Sequence, residues 1–184
     1  MSEAQRQKAL ASRRYTWRLQ NHGEVIAFND LNYGAAHHHL DMAQDHVVLR
    51  RSDGVFAYPL AVVADDGDMG ITQVVRGSDL LASTPVQLYL MDLLGYKRPT
   101  YGHVPLLVDV HGHRLSKRQK SLDLGCLIEA GWTAEGILGF LAYEAGFLDE
   151  IQPVKARELV GCFDWVKIGT KDLVLEEEAL TKAK

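Results

Sequence analysis

The sequence predicts a mixed α/β protein whose last third is a small helical segment. Short apolar runs typical of strands fill the first two thirds of the chain. A helix start at Ser83-Thr84-Pro85 lies within that region, and two segments that open on Ser or Thr and close on Gly follow it. The 184 residues, 47% of them hydrophobic and 24% charged, suffice for one domain with a working core.

The N-terminal elements follow from periodicity and turn residues. Charged residues alternate with alanine over about Glu3 to Arg13, which predicts a short exposed helix. The runs YTWRLQ and EVIAFND are separated by Asn21-His22-Gly23 and are predicted to pair as a hairpin. A strand from Val47 to Arg50 and a turn at Ser52-Asp53-Gly54 then precede a long apolar run.

The middle of the chain holds its clearest helix. ITQVV is predicted to be a buried strand that ends at Arg76. In STPVQ, Thr84 is predicted to be the N-cap, Pro85 the first helical residue and Gln87 the end of a capping box. This helix should end at Leu94, before Gly95, and YGHVPLLVDV is predicted as one strand.

The C-terminal third is predicted to be helical. SLDLGCLIEAG and TAEGILGFLAYEAG each have a Ser or Thr start and a Gly stop, and apolar residues that can pack together. ELVGCFDWV is predicted as a third helix, and the charged tail from Lys171 is expected to fray. Cys126 and Cys162 are expected on helical core faces, where free cysteine acts as a small hydrophobe.

Composition limits the classes of function. A net charge of −4 argues against a general nucleic-acid coat, so any polyanion contact must be local. Two distant cysteines without a CxxC pair do not favour a zinc cluster or a disulfide framework. The sequence has no apolar run of membrane-spanning length and no signal-peptide pattern at its start. These features predict a cytoplasmic protein with no membrane partner.

A basic loop stands out against that acidic background. HGHRLSKRQKSLDLG places Arg114, Lys117, Arg118 and Lys120 within seven residues. A lysine, arginine forks and the Ser116 hydroxyl together suit phosphate oxygens. A solvated basic loop with no ligand is the alternative, and five residues alone do not decide between the two.

Two further residues could contact a substrate. Arg76 ends an apolar strand, where an unpaired guanidinium would be costly. Its partner could be a structural carboxylate, from Asp65, Asp66 or Asp79, or the carboxylate of a substrate. Tyr58 interrupts an apolar run and is expected to be buried, with a partner for its hydroxyl.

The run His37-His38-His39 has the composition of a metal site but not its geometry. Neighbouring side chains alternate faces on a strand and fan apart on a helix, so three in succession rarely converge on one ion. Structural or exposed histidines are therefore expected.

Three blocks in fixed order resemble a known enzyme family. RSDGVFAYPLAVVADD, VVRGSDLLASTP and HVPLLVDVHGHRLSKR are similar to the second half of the Rossmann-type catalytic domain of glutamyl-type class I aminoacyl-tRNA synthetases. The greatest similarity is to the short glutamyl-Q tRNA(Asp) synthetases, which glutamylate a queuosine base in the anticodon. The resemblance extends from about Ser12 to Trp165.

The resemblance implies roles for individual residues. RLSKR resembles the KMSKS signature, which implies an ATP-binding loop of Arg114, Leu115, Ser116, Lys117 and Arg118, with Lys117 as the catalytic residue at the phosphates. Tyr58 and Arg76 match positions that hold glutamate. ATP, accompanied by Mg²⁺, and glutamate are the implied substrates, with tRNA as a further partner. No zinc is expected, because the family's zinc cysteines are absent from the sequence.

The resemblance also implies a division of the chain. Residues 1–50 would be a remnant of the connective insertion, 51–120 the C-terminal half of the nucleotide-binding domain, and 121–184 a helical segment. The family's RFAPSPTGxLHLG segment, with its HIGH signature, has no counterpart, and Arg114 stands where the signature has lysine. Ligands of such folds lie across the crevice between two halves. The chain alone is therefore expected to be a poor catalyst with an exposed sheet edge.

Three hypotheses follow. The chain could be an enzyme component that joins a separate N-terminal half or self-associates through the exposed edge. It could be a truncated, non-catalytic paralogue that binds nucleotide, tRNA or a protein, with Lys97 and Arg98 adding to the basic loop. It could also be a decayed gene fragment. Glutamate-dependent pyrophosphate exchange would favour the first, and salt-sensitive tRNA binding without exchange the second.

Overall fold

The computed structural model describes residues 2–12, 14–41, 47–115 and 124–175. The chain forms two compact units. Unit one comprises Met1–Val74 and Leu80–Gly102, and unit two comprises Val75–Asp79 and His103–Lys184. The three-part division at residues 50 and 120 remains a prediction.

The described chain contains strands mainly in its first two thirds, together with helices, and helices mainly toward its end. In order they are α1 (Glu3–Ser12), β1 (Trp17–Arg18), β2 (Val25–Asp30), β3 (Gly34–His39), β4 (Val48–Arg50), α2 (Tyr58–Asp68), β5 (Gln73–Gly77), a 3₁₀ helix (Ser78–Ser83), α3 (Thr84–Leu94), β6 (Thr100–Val104), β7 (Leu107–Val108), α4 (Leu124–Glu129), α5 (Ala134–Glu144), α6 (Ala156–Leu159), α7 (Trp165–Ile168) and β8 (Leu173–Val174).

The strands form a four-stranded sheet and two small ribbons. The sheet has the order β3-β2-β6-β5, and the ribbons are β1-β4 and β7-β8. Strands β2 and β3 are antiparallel, whereas β2 with β6 and β7 with β8 are parallel. Parallel pairs with helices between strands are typical of α/β proteins, so the predicted fold class is confirmed.

The predicted N-terminal hairpin is wrong. β1 pairs with β4, with Trp17 opposite Arg50, and β2 pairs instead with β3. The turn after β2 is stabilised by Asp30, whose Oδ1 accepts hydrogen bonds from the backbone N–H groups of Asn32 and Tyr33, both at 3.0 Å. Gly34 follows with φ +75°, a conformation that suits glycine. This turn, rather than Asn21–Gly23, closes the hairpin.

The long apolar run, for which no element was predicted, forms α2, and Pro59 in its first turn is a helix-start signal. The strand after it differs from expectation. ITQVV does form a strand, but β5 lies at one edge of the four-stranded sheet and Val75 is 55% exposed. The prediction that it is buried was wrong. Self-association through a sheet edge remains a prediction.

Helix α3 ends where predicted, at Leu94, but starts one residue earlier than predicted. The 3₁₀ helix runs directly into it, and Thr84 Oγ1 donates a hydrogen bond to the carbonyl oxygen of Leu80 at 3.2 Å. Thr84 is thus the first helical residue and not a cap. Gly95 ends the helix with φ +75°, as its position predicts.

Unit one has two apolar clusters, and α3 contributes to both. Leu88 and Tyr89 pack in a cluster with Ile26, Leu40 and Tyr101. The next two residues of the helix pack in another, whose buried members are Val47, Val63, Leu90 and Met91. Because five consecutive residues of α3, Gln87 to Met91, are buried, this helix is central to the unit.

Unit two is built around α5. Trp132, Ile137, Phe140 and Leu175 form its buried cluster, and the Thr133 side chain caps the helix by accepting from the Gly136 N–H at 3.0 Å. This confirms the predicted start of α5. The predicted third helix is instead two short ones, α6 and α7. Cys126 is exposed and Cys162 lies in the turn after α6, so neither is on a core face as predicted.

The predicted strand of unit two and the start of the predicted frayed tail differ from the structure. YGHVPLLVDV divides into β6 and β7 around Pro105, which has no N–H to continue a ladder. The segment after Lys171 forms β8 beside β7, with Leu173 N–H donating to Leu106 O and Leu175 N–H donating to Val108 O. The start of the tail, through Leu175, is therefore paired and not frayed, and residues 176–184 lie outside the described residues.

A carboxylate in unit one makes stability depend on pH. Glu24 accepts hydrogen bonds from the His22 N–H at 2.9 Å and the Tyr89 hydroxyl at 2.8 Å. The backbone hydrogen bond from His22 is the main cause that lowers the pKa of Glu24, and burial followed by the contact with Glu24 raises the pKa of Tyr89. Because the pKa of Glu24 is lower in the folded than in the unfolded state, its ionised form stabilises the folded protein. This stabilisation is complete at a pH above the unfolded-state pKa and is lost as the pH falls through the folded-state pKa.

Glu24→Gln should therefore destabilise the protein near neutral pH, with a smaller effect in acid. Glutamine keeps an acceptor oxygen for Tyr89 but cannot titrate. Urea unfolding of both proteins at about pH 7 and about pH 4 measures the difference. An equal difference in unfolding free energy at both pH values would contradict this account.

Gly139→Ala should destabilise unit two by about 1–3 kcal/mol, because the new methyl group would overlap the backbone carbonyl oxygen of Gln152. Helix propensity alone predicts the opposite sign, a gain of about 1 kcal/mol. Gly161→Ala is the control, since a Cβ there meets no atom within 4 Å. Urea unfolding distinguishes the two signs, and a Gly139→Ala protein as stable as the parent would refute the packing argument.

Candidate functional site

Arg76 lies at the end of β5 in unit two, next to a buried histidine. Its Nε donates a hydrogen bond to Nε2 of His103 at 3.0 Å, and His103 on β6 is 0% exposed. A ring nitrogen that accepts a hydrogen bond carries no proton, so the His103 proton in this contact is on Nδ1. The contact orients the guanidinium without cancelling its charge.

Asp79, one of the carboxylates expected to pair with Arg76, binds Arg114 instead. Nη1 of Arg114 donates to Oδ2 of Asp79. Gly77 makes room for this carboxylate, because a Cβ there would lie 2.7 Å from Asp79 Oδ1. The ion pair joins the VVRGSD block to the start of RLSKR within unit two.

A tight turn holds Arg114 in place for this contact. Asp109 Oδ1 accepts hydrogen bonds from the backbone N–H groups of His111 at 2.9 Å and His113 at 2.8 Å. Gly112 has φ +78°, and Leu115 N–H donates to Leu107 O at 3.0 Å, which closes the hairpin. Asp109 was not among the residues predicted to be important, although an Asp three residues before a Gly is a signal for such a turn.

Leu115 has a packing contact next to this turn. It lies against the buried cluster of unit two and lines an apolar cavity of about 400 Å³ together with Leu107, Trp132 and Phe140. Its side chain thus anchors one end of the RLSKR segment to the core. An ATP-binding role for its backbone remains a prediction.

The remaining residues of the predicted ATP loop, Ser116, Lys117 and Arg118, lie outside the described residues, as does Lys120. Their proposed roles at the phosphates remain predictions. Of the five loop residues, the structure describes Arg114 and Leu115.

Tyr58 belongs to unit one and is not buried as expected. It is the first residue of α2 and is 56% exposed. Pro59 lies in the first turn of this helix, and the apolar run becomes buried only farther along, at Val63, which is 1% exposed. A role for Tyr58 in holding glutamate remains a prediction.

Arg98, one of two residues predicted to add positive charge to the basic loop, binds a carboxylate and a backbone carbonyl of unit one. Its Nε donates to Asp92 Oδ1 at 2.8 Å, Nη2 donates to Asp92 Oδ2, and Nη1 donates to Ala27 O at 3.0 Å. The hydrogen bond with Asp92 raises the pKa of Arg98 above its ordinary value. The guanidinium therefore links Asp92 of α3 to the backbone of β2.

The histidine run behaves as expected for a strand. His37 and His39 are exposed on β3 and His38 is half-buried, because neighbouring side chains alternate between the two faces. Across the ranges that the structure describes, no group of three or more His, Cys, Asp or Glu residues is arranged to hold a metal ion. In those ranges no helix is long and apolar enough to span a membrane.

Comparison with known proteins identifies relatives for nearly the whole chain. The family model for the catalytic domain of class I tRNA synthetases (E and Q) matches residues 1–166. A glutamyl-Q tRNA(Asp) synthetase from Nitratidesulfovibrio vulgaris is 44% identical over 177 residues, which are 96% of this chain and 55% of the relative. The corresponding enzyme from Symbiobacterium thermophilum is 43% identical over 157 residues, 85% of this chain and 48% of the relative.

The fold is also found among solved structures. The crystal structure of a glutamate tRNA ligase from Elizabethkingia meningosepticum, in complex with its amino acid, superimposes with a TM-score of 0.80 at 23% identity. The aligned region covers 100% of this chain and 40% of the ligase. This similarity supports the Rossmann-type class I fold. The chain spans about half the length of the curated relatives it matches.

The ion pair between Arg114 and Asp79 should be measurable as a coupling energy. Both side chains are partly exposed, at 61% and 29%, so a double-mutant cycle of Arg114→Gln and Asp79→Asn should give about 0.2–1 kcal/mol. The coupling should shrink in about 1 M salt. As a control, Arg114→Gln combined with Asp172→Asn should be additive, since Asp172 accepts from the Leu106 N–H. No coupling at low salt would contradict the contact.

Proposed function

The chain belongs to the family of class I tRNA synthetases for glutamate and glutamine, as a part of the catalytic domain, and we propose that it takes part in the ATP-dependent activation of glutamate for transfer to tRNA. The relatives that are 43–44% identical to it are glutamyl-Q tRNA(Asp) synthetases. We extend their tRNA(Asp) specificity to this chain as part of the proposal.

The ion pair that joins the two motif blocks within one compact unit carries the proposal. Arg114, at the start of the KMSKS-like segment, binds Asp79, which follows Arg76 by three residues. A residue proposed for glutamate and a segment proposed for ATP therefore lie in one compact unit, connected by three residues of chain and one ion pair. Holding two reactants in one unit is what their positioning requires.

In the proposed reaction, a carboxylate oxygen of glutamate forms a bond to the α-phosphorus of ATP. The bond from that phosphorus to the bridging oxygen breaks, and pyrophosphate leaves with the electron pair. Lys117 and Ser116 would stabilise the charge that develops on the leaving phosphates. Mg²⁺ would accompany the ATP as its counter-ion, and the reaction would take place in the cytoplasm.

Arg76 is the proposed contact for a glutamate carboxylate. Its Nε is oriented by His103, so the plane of the guanidinium is set by a buried side chain. A planar guanidinium binds a carboxylate through two parallel hydrogen bonds, which a lysine cannot reproduce. In this proposal His103 acts through Arg76 as a positioning residue. Tyr58 is proposed as a second contact on the strength of the family pattern.

Arg114 has a different proposed part in the ATP loop. One of its five N–H donors binds Asp79, and the hairpin fixes its backbone. We propose that it holds the start of the loop in position and offers remaining donors to phosphate. Arg118 would add charge farther along the segment.

Calorimetric titration tests the glutamate assignment. Arg76→Lys should weaken glutamate binding, measured in the presence of ATP, by about tenfold or more, because a lysine cannot form the two parallel hydrogen bonds. Arg157→Lys, an exposed arginine on α6, is the matched control and should bind as the parent does. Thermal unfolding checks that the variants remain folded. Equal glutamate binding by the parent and Arg76→Lys would remove Arg76 from the site.

A further inference from the structure

Two histidine side chains lie close together in the tight turn that precedes Arg114 in unit two. The ring centres of His111 and His113 are 6.2 Å apart, and the ring planes are inclined by 54°. Gly112, whose φ of +78° turns the backbone sharply, lies between them. Both histidines are exposed, and 72% of the His113 side chain is accessible to solvent. We refer to His111 and His113 as the histidine pair.

Asp109 supports this pair through both of its carboxylate oxygens. Oδ1 accepts hydrogen bonds from the backbone N–H groups of His111 and His113. Oδ2 lies 3.4 Å from Nδ1 of His113, so the carboxylate favours a proton on that nitrogen and leaves the Nε2 lone pair available. Histidines that bind metal ions in proteins usually have such a carboxylate or a carbonyl at their other ring nitrogen.

The separation of the two rings suits one bound ion. A zinc–nitrogen bond is about 2.0–2.1 Å long, so two nitrogens on one zinc ion lie about 4 Å apart or less. Rings with centres 6.2 Å apart reach that separation when each directs a nitrogen toward the other. Rotation about the side-chain torsions of the exposed residues brings this about. Asp109 contacts a ring nitrogen, so water would complete the coordination of the ion.

The charges around the histidine pair permit a cation. Arg114, the next residue along the chain, binds the carboxylate of Asp79, which offsets the positive charge of the guanidinium. Asp109 places a negative charge beside His113. The pair therefore combines two accessible imidazole rings, a supporting carboxylate and a neighbouring arginine whose charge is already balanced.

We propose that His111 and His113, supported by Asp109, form a binding site for a divalent transition-metal ion such as Zn²⁺. Imidazole nitrogens favour Zn²⁺ and Cu²⁺, whereas Mg²⁺ and Ca²⁺ prefer oxygen ligands. The site contains no cysteine, so its ligand chemistry differs from that of the family's zinc site. A bound ion would join the two histidines and stabilise the turn that carries Arg114.

Isothermal titration of the full chain, free of any affinity tag, with ZnCl₂ in the absence of ATP and glutamate tests the proposal. Asp109→Asn keeps an Oδ1 acceptor for the turn but loses the negative charge, and should weaken Zn²⁺ binding about tenfold. His111→Gln and His113→Gln each remove a ligand and should weaken it by about tenfold or more. His37→Gln, which breaks the pair of equal spacing on β3, is the matched control and should bind as the parent does.

Two further measurements assign the site and its consequence. In NMR spectra, the histidine ring resonances that shift on addition of Zn²⁺ should be those missing from His111→Gln and His113→Gln. Zn²⁺ should raise the Tm of the parent more than the Tm of His113→Gln, because an ion that binds the folded state stabilises it. Titration with MgCl₂ should leave these ring resonances unchanged.

Several results would overturn the proposal. They are absence of Zn²⁺ binding by the parent, equal binding by His113→Gln and the parent, an equal loss in His37→Gln and His113→Gln, and Zn²⁺-induced shifts confined to other histidines. Circular dichroism of each variant establishes that loss of binding is not loss of fold. Because the assay contains no ATP or glutamate, a failure of glutamate activation would leave its outcome unchanged, and the two proposals can fail separately.

Discussion

The ion pair between Arg114 and Asp79 is the constraint on which the candidate site depends. It connects residues 35 positions apart in sequence, and it does so because each side is held by local structure. Gly77 leaves space for the carboxylate, and the turn organised by Asp109 fixes the backbone that carries the arginine. A partly exposed ion pair contributes little to stability. Its importance here is positional, since it holds the start of a proposed phosphate-binding loop beside the end of β5.

The arginines of this acidic chain have distinct environments, and the environments suggest distinct roles. Arg98 donates hydrogen bonds to Asp92 and to a backbone carbonyl, which suits a structural residue. Arg76 is oriented by an uncharged contact to His103 and so keeps its charge in that contact. Arg50 lies against an aromatic ring at the surface. A count of basic residues in the sequence would treat these three alike, whereas their contacts differ.

Local signals in the sequence predicted local structure well. Pro85 and Gly95 gave the bounds of α3, and Thr133 gave the start of α5, because caps and breakers act within one turn of the chain. Pairing between distant segments was predicted poorly. The partner of β1 and the strand formed by the C-terminal segment depend on contacts that no short window contains. Of the site, the motif blocks and Arg76 could be found from sequence, but the ion pair between Asp79 and Arg114 could not.

We propose that this chain carries the part of a class I synthetase site that binds glutamate and the phosphates of ATP. The decisive experiment is glutamate-dependent exchange of labelled pyrophosphate into ATP by the purified chain, alone and mixed with the portion of the Nitratidesulfovibrio relative that it does not cover. We expect exchange in the mixture, specific to glutamate and abolished by Lys117→Ala. Absence of exchange from a mixture that forms a stable complex, or equal exchange with Lys117→Ala, would contradict it.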